Sequence, residues 1–317
     1  MVSNKNTQSE RDLARMQANR EELVERMMRA VPQDGPTAPL EGIRLYRSSV
    51  PSEPVYSVAK PALCVIAQGS KEVLVGSSRY RYDPFHYLIA TLELPRASRI
   101  LEASAECPYL TLILDLTPDL VGSVMVEAGP AAAKQPEALA IDVSPLDVNL
   151  QDAVVRLVRL IDAPAEAAVL LPLIKREIVF RLLTGTQSAR LRHLMAPGEN
   201  MSLIARAIDR MRREYDQSLR MEDLARELGM SVSGLHHHFK AVTAMSPLQF
   251  QKQIRLQEAR RLMLSEDLDA ASAAFRVGYN DAAHFSREYK SLFGEPPRRD
   301  VHRVRGEMMQ SPVQWRE

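Results

Sequence analysis

The chain has 317 residues, 45% of them hydrophobic and 26% charged, with a formal net charge of +1. That length allows two domains, and near neutrality excludes a bulk electrostatic grip on nucleic acid, so any DNA affinity must come from locally placed Arg and Lys. Two cysteines, Cys64 and Cys107, are too few for a disulfide framework; with no apolar run of about 18 residues and a charged N-terminus lacking a signal-peptide core, a cytoplasmic protein without membrane association is expected.

Residues 8–30 read as one amphipathic helix, with Leu13, Met16, Leu23, Met27 and Met28 at mostly helical spacing among charges. Val31-Pro32 ends it, and 34–39, rich in Gly and Pro, reads as a loop. From 42 to 116 the apolar runs shorten to strand length: IRLYRSS, SVAKPALCVIAQG, KEVLVG, RYRYD, HYLIATLEL, RILEAS and YLTLILDL, with turn residues between them. That pattern predicts a small antiparallel sandwich or barrel. Helix returns at Pro118, first over 118–127. A loop is expected over 129–138, then a helical pair over 145–161 and 165–183. Its apolar faces carry Leu150, Val154, Leu157, Val158 and Ile161, then Leu171, Ile174, Ile178, Phe180 and Leu182. Stop signals at Gly185 and Pro197-Gly198 place a linker near 196–200. Beyond it, helices are expected over 202–215, 222–228, 231–242, 247–264, 268–276 and 281–293. Ser231 and Asp281 serve as N-caps, and Gly294, Pro296 and Pro297 form the last stop.

The same small plan occurs twice in this helical part: MEDLARELGMSVSGLHHHFKA (221–241) and DAASAAFRVGYNDAAHFSREYKS (269–291). Each copy has a short helix with a mid-position Ala, a Gly in the turn (Gly229, Gly278), a capping residue, and a second helix with an apolar i, i+4 pair (Leu235 and Phe239; Phe285 and Tyr289). A tight turn between two helices needs Gly where the backbone goes left-handed. The apolar pair anchors the second helix and turns its other face outward. Such a face can enter a major groove about 12 Å wide. The helix over 247–264 would set the separation of the copies, and readers on one face of DNA enter about 34 Å apart.

With Gly278-Tyr279-Asn280-Asp281, Phe285-Ser286-Arg287 and Phe293-Gly294-Glu295-Pro296-Pro297, this tandem pattern resembles the DNA-binding domain of AraC/XylS-type transcription regulators over about residues 201–303. PALCVIAQGSKEVLVG (61–76) and YRYDPFHYLIA (80–90) resemble the N-terminal domain of one AraC-type subgroup. The resemblance implies a cupin-like barrel, a helical pairing segment and small-molecule sensing. By position, Ser233, His236 and His237 of the first recognition helix would face bases. In the second they would be Ala282, Ala283, His284, Ser286 and Arg287, with Arg287 reading a guanine in bidentate fashion. Lys240, Lys290, Arg298 and Arg299 would contact phosphates. Asp300 stands where many members of that family carry an aromatic.

The resulting expectation is an α+β chain. Residues 1–36 form an N-terminal helix and arm, and 37–118 a cupin-like β-barrel sensing domain. Residues 119–195 form a helical dimerisation segment, 196–200 the linker, 201–305 an all-α domain with two helix-turn-helix motifs joined by a long helix, and 306–317 a tail. The expected function is sequence-specific regulation of transcription on promoter DNA, as a homodimer, with RNA polymerase as a further partner and no cofactor. The effector would be a small metabolite such as an alcohol or aldehyde, contacting Ile66, Gln68, Lys71, Tyr80, Tyr82 and His86 on strand candidates. Two alternatives stay open: a barrel that only dimerises, and a redox or electrophile sensor acting through Cys64 or Cys107. Three consecutive residues, His236, His237 and His238, point about 100° apart on a helix and cannot close on one metal ion. No Gly-rich phosphate loop, nucleophile elbow or HExxH occurs, so no catalytic activity is expected.

Overall fold

A computed structural model describes residues 2–128, 139–192, 194 and 199–310. The loop expected over 129–138, most of the linker and the end of the C-terminal tail lie outside the described residues. Helix α1 (Val2–Ala30) precedes nine strands: β1 (Gly35–Leu40), β2 (Ile43–Ser48), β3 (Val55–Ala59), β4 (Ala62–Gln68), β5 (Ser70–Val75), β6 (Ser78–Tyr82), β7 (His86–Ala90), β8 (Leu94–Glu102) and β9 (Tyr109–Asp115). Next come α2 (Pro118–Ala128), β10 (Ile141–Pro145), α3 (Val148–Arg159), α4 (Pro164–Thr184) and α5 (Ser188–Arg192). The C-terminal part is all helix: α6 (Glu199–Arg213), α7 (Met221–Glu227), α8 (Val232–Thr243), α9 (Pro247–Ser265), α10 (Ala270–Arg276), α11 (Ala282–Phe293) and α12 (Pro297–Gln310).

The strands form two antiparallel sheets, ordered β1-β2-β9-β4-β7-β10 and β3-β8-β5-β6. Helix α5 was not expected, and three further elements depart from the sequence reading. The segment expected as a loop over 34–39 is β1, an edge strand paired with β2 with irregular register between Thr37 and Leu40. Pro36 and Pro39 are tolerated there because an edge strand need not donate outward. β10 pairs with β7 at the opposite edge; its five residues, IDVSP, carry no alternation long enough to announce a strand. α12 begins on Pro297, so the prolines that stop α11 also open the next helix.

Alternation across the six-stranded sheet separates two cores. Leu45, Leu63, Val65, Leu112 and Leu114 pack with the buried faces of α1, α3 and α4, among them Met27, Val154, Val158 and Ile178. The opposite face supplies Cys64, Ile66, Leu88 and Ile113, which join Val73, Tyr82 and Ile100 of the second sheet. β4 is therefore buried on both faces, which explains its unbroken apolar run. That second cluster continues into Met201, Leu235, Phe239, Met245 and Phe250 of the helical domain. Helix α1 is fastened to α3 by Glu22, which accepts from Arg159 Nε and Nη2 at 2.8 and 2.7 Å and from Arg26 Nε at 2.7 Å. Hydrogen bonding to Arg159, more than to Arg26, pulls the Glu22 carboxyl down to about 2.

Candidate nucleic-acid interface

Both helix-turn-helix units form as their local chemistry dictates. Ser231 caps α8 by accepting from Gly234 N at 3.0 Å, and Asp281 caps α11 by accepting from Ala283 N at 2.8 Å. Gly229 and Gly278 take φ of +67° and +85° in the two turns, a conformation that costs other residues about 1–2 kcal/mol. Leu235, Phe239, Phe285 and Tyr289 are fully buried, so each i, i+4 pair locks its helix onto the unit's core. The connecting helix α9 opens with a complete capping box between Ser246 and Gln249.

The faces left outward carry the expected readers. Ser233 and His237 are exposed and His236 is half-buried. On α11, Ala283, His284 and Arg287 are exposed, while Ala282 and Ser286 are half-buried. Lys240, Lys290, Arg298 and Arg299 are all exposed. His284 is partly engaged: its Nε2 lies 3.6 Å from Glu288 Oε1, and Glu288 also accepts from Tyr279 Oη at 2.7 Å. Burial first, and the Glu288 carboxylate second, push the Tyr279 hydroxyl well above its ordinary pKa. Three arginines of α6 are engaged within the protein: Arg210 pairs with Glu214 and Glu227, Arg213 with Asp209, and Arg212 with Glu93 of the β-domain.

Sequence reading missed what fastens the second unit. Asp300 is completely buried and accepts from Arg260 Nε and Nη2 at 2.7 and 2.8 Å. Tyr289 Oη and Arg303 Nη2 also donate to it, each at 2.7 Å. The network ties α9, α11 and α12 together. Burial and the Asp300 carboxylate raise the Tyr289 pKa well above its ordinary value. The only sequence signal was the oddity of a carboxylate at that position.

The β-domain touches both recognition helices. Ala140 N donates to Val242 O of α8 at 2.9 Å, and Gly76 packs so closely on Ala244 that any Cβ there would overlap its carbonyl. Tyr56 Oη donates to Leu292 O of α11 at 2.6 Å, and the Tyr56 ring meets Phe293 edge-on at 4.7 Å.

The six residues expected to contact an effector are dispersed. Ile66 and Tyr82 sit in the inner core of the β-domain. Gln68 Nε2 donates to Pro108 O at 2.9 Å. Lys71 and Tyr80 are half-buried on β5 and β6, with burial raising the Tyr80 pKa. His86 Nδ1 lies 2.8 Å from Asp83 Oδ1. None of the six lines the cavity of about 730 Å³ that opens between the β-domain and α9. Cys64 does line it; Cys107 is exposed on the turn before β9, and neither forms a disulfide.

Among the described residues no helix is long and apolar enough to cross a membrane. A family model described as the N-terminus of AraC-type transcriptional regulators matches residues 39–190, and one described as a helix-turn-helix domain matches 224–303. The transcriptional activator RhaS of Klebsiella pneumoniae (strain 342) is 30% identical over 96 residues, 30% of this chain and 34% of RhaS. The transcriptional activator NphR of a Rhodococcus species is 32% identical over 99 residues, 31% of this chain and 29% of NphR. The match thus spans about a third of either relative's length. In fold, the chain resembles a crystal structure of an apo variant of ToxT from Vibrio cholerae strain SCE256, with a TM-score of 0.53 at 12% identity over 85% of this chain and 99% of that one. With both family models matched in that order, on a β-domain and on a tandem helix-turn-helix domain, the chain belongs to the AraC/XylS family of transcriptional regulators.

Proposed function

We propose that this protein is a sequence-specific DNA-binding transcription regulator whose helices α8 and α11 enter successive major grooves of promoter DNA. The observation that carries the reading is the pair of recognition helices, each anchored by a buried apolar pair with its polar face left outward, on either side of one stiff connector. Ser233, His236 and His237 read bases in one groove, and Ala282, Ala283, His284, Ser286 and Arg287 in the next. Lys240, Lys290, Arg298 and Arg299 hold phosphates. The setting is the cytoplasm, RNA polymerase is the downstream partner, and the role is regulatory rather than catalytic. The cupin-like β-domain and the domain bounds given above belong to the same reading.

Arg287→Ala tests it. DNA selected by the full chain from a random library is expected to bind the variant about 5- to 150-fold more weakly, the equivalent of about 1–3 kcal/mol for one bidentate base contact. Non-specific retention and the thermal melt should change little, because Arg287 is exposed. Equal retention of selected and scrambled DNA by the unmodified chain would overturn the reading.

The chain pairs as a homodimer through α4. One side of that helix packs inward through Ile174, Ile178 and Leu182, while Val169, Leu173 and Phe180 stand exposed on the other. Phe180, grouped from spacing with Ile174 and Ile178 on one apolar face, belongs to this outward stripe. Apolar groups left in water along one helical face are a pairing surface. Leu173→Asp is expected to sediment as a monomer at concentrations where the unmodified chain is a dimer; a monomeric unmodified chain would remove α4 from the reading.

A further inference from the structure

The connecting helix α9 serves two cores, and the change from one to the other falls at a single residue. Phe250 and Ile254 pack into the cluster that holds Leu235 and Phe239 of the first unit. Leu256, Ala259 and Leu262 pack into the cluster that holds Phe285 and Tyr289 of the second. Arg255 stands between Ile254 and Leu256, at the changeover. A straight helix fixes the distance between two bodies along its own axis. The roll of each body about that axis is set by side-chain packing, and a small roll carries the two recognition helices out of step. A side chain that bridges the two units across α9 therefore has a strong lever on how they stand to one another.

Arg255 makes such a bridge. Its Nε donates to Tyr215 O at 2.5 Å and its Nη2 to Gln217 O at 2.8 Å. Gln251, one turn earlier on α9 and buried, donates from Nε2 to the same Gln217 O at 3.3 Å. Residues 215–217 lie between α6 and α7, so these bonds hold the first unit. On the other side the guanidinium stands 5.9 Å from the centre of the Tyr279 ring, in the turn that leads into α11. Gly278 brings the backbone of that turn against Asp216 O, and Tyr215 completes the seam by packing against both clusters. Tyr279 is itself fixed, being buried with its Oη donating to Glu288 Oε2 at 2.7 Å. The task calls for arginine. Two carbonyls and a ring face must be met by one side chain, and a guanidinium is planar and offers five donors in a rigid fork. A lysine ammonium has neither a plane to lay toward the ring nor a fork to span the loop. Burial lowers the Arg255 pKa; the charge is drawn partly out of water, where charge-assisted hydrogen bonds gain strength.

We infer that Arg255 is a positioning residue for DNA recognition: by joining the loop after α6 to the turn before α11, it fixes the angle between the two recognition helices about α9, and so the base-pair separation that the protein accepts. The consequence on DNA rests on the regulator reading; the joint between the units does not. Arg255 also complements the β-domain, which bonds to Val242 O of α8 and Leu292 O of α11, at the far ends of both helices. A helix held at one end alone still pivots. The contact with Tyr279 acts at the other end of α11 and takes that freedom away.

The experiment uses the full chain and the DNA it selects. From that DNA a series is made in which the two contacted elements are moved together or apart by one base pair, each step shifting them by about 3.4 Å and turning them by about 35° around the duplex. The unmodified chain is expected to bind each displaced site at least about tenfold more weakly, a difference of about 1.4 kcal/mol. Arg255→Gln keeps an amide donor but loses the fork and the charge. It should bind the original site within about threefold of the unmodified chain, and the displaced sites within about threefold of that, with the base preference at each element intact. Arg255→Lys should show the same relaxation in smaller degree, and it carries the test if the Gln variant does not fold. A folded variant that keeps the full spacing penalty would overturn the inference. So would one that loses affinity equally at every spacing, since a residue that only stabilises the fold would act in that way. Failure of the unmodified chain to select any DNA would instead sink the regulator reading, and the joint would still be decided without DNA. Nitroxide labels on Ser233→Cys and Ala283→Cys, both exposed positions, in a Cys107→Ser background with Cys64 buried, should give one narrow distance when Arg255 is present and a broad distribution in Arg255→Gln. Equal distributions would overturn the joint.

Discussion

Asp300→Ala should destabilise the C-terminal domain by about 3–5 kcal/mol, the usual consequence of removing one partner of a buried ion pair. Arg260 would keep its charge in a site where its side chain is only 8% exposed, and Tyr289 would lose its acceptor. Three helices meet at that carboxylate, so the loss should melt the second helix-turn-helix unit before the β-domain. A chemical denaturation curve followed by backbone signal should divide into two transitions in the variant. The cause is checked by the double variant Asp300→Ala with Arg260→Leu. Removing both charges leaves no orphaned ion and should regain a large part of the loss. If the double variant is less stable than Asp300→Ala by a full increment, the two side chains act independently and the network is not what holds α9, α11 and α12 together.

Gly278→Ala is expected to be far more harmful than Gly229→Ala, although both glycines occupy the same place in their units. Each has a left-handed φ, so each alanine variant loses about 1–2 kcal/mol from backbone conformation alone. At Gly229 a Cβ would meet nothing within 4 Å. At Gly278 it would overlap the Asp216 carbonyl and sit 3.0 Å from Arg255 Nη2. That carbonyl cannot retreat cheaply, because Arg255 holds the segment by donating to Tyr215 O at 2.5 Å and Gln217 O at 2.8 Å. The second turn is thus wedged against the loop after α6. The expected result is a Gly229→Ala protein that still retains selected DNA and a Gly278→Ala protein that does not. Equal denaturation midpoints for the two would show that the close approach at Gly278 is relieved elsewhere.

The helical half was readable because its signals are local. Ser231, Asp281, Gly229, Gly278 and the i, i+4 anchors each act within a few residues, and each sits where spacing put it. Strands with long apolar runs, such as β4 and β9, were readable for the same reason. β1 and β10 were not: their existence depends on a neighbour's open edge, which no property of GPTAPL or IDVSP announces. The separation of Phe180 from Ile174 and Ile178 was not legible, because a helix with apolar residues on two sides does not say which side meets the core. The cavity was invisible for a stronger reason. Its lining comes from residues 44 to 265, and its far wall is supplied by a domain that sequence spacing treats as separate. The Asp300 network likewise joins positions 40 residues apart, where only proximity in the fold gives the carboxylate its meaning.

The contacts of the β-domain with the two recognition helices have a geometric consequence. It grips α8 at Val242 and Ala244 and α11 at Leu292 and Phe293, in each case at the trailing end of the helix, while the leading ends stay free. The assembly is a caliper: α9 is the bar, the two recognition helices are the jaws, and the β-domain is the clamp screw bearing on the base of both. A screw in that place does not change what each jaw touches. It fixes how wide the jaws are set, and on the proposed DNA-binding reading that width is the separation between the two base sequences the protein accepts.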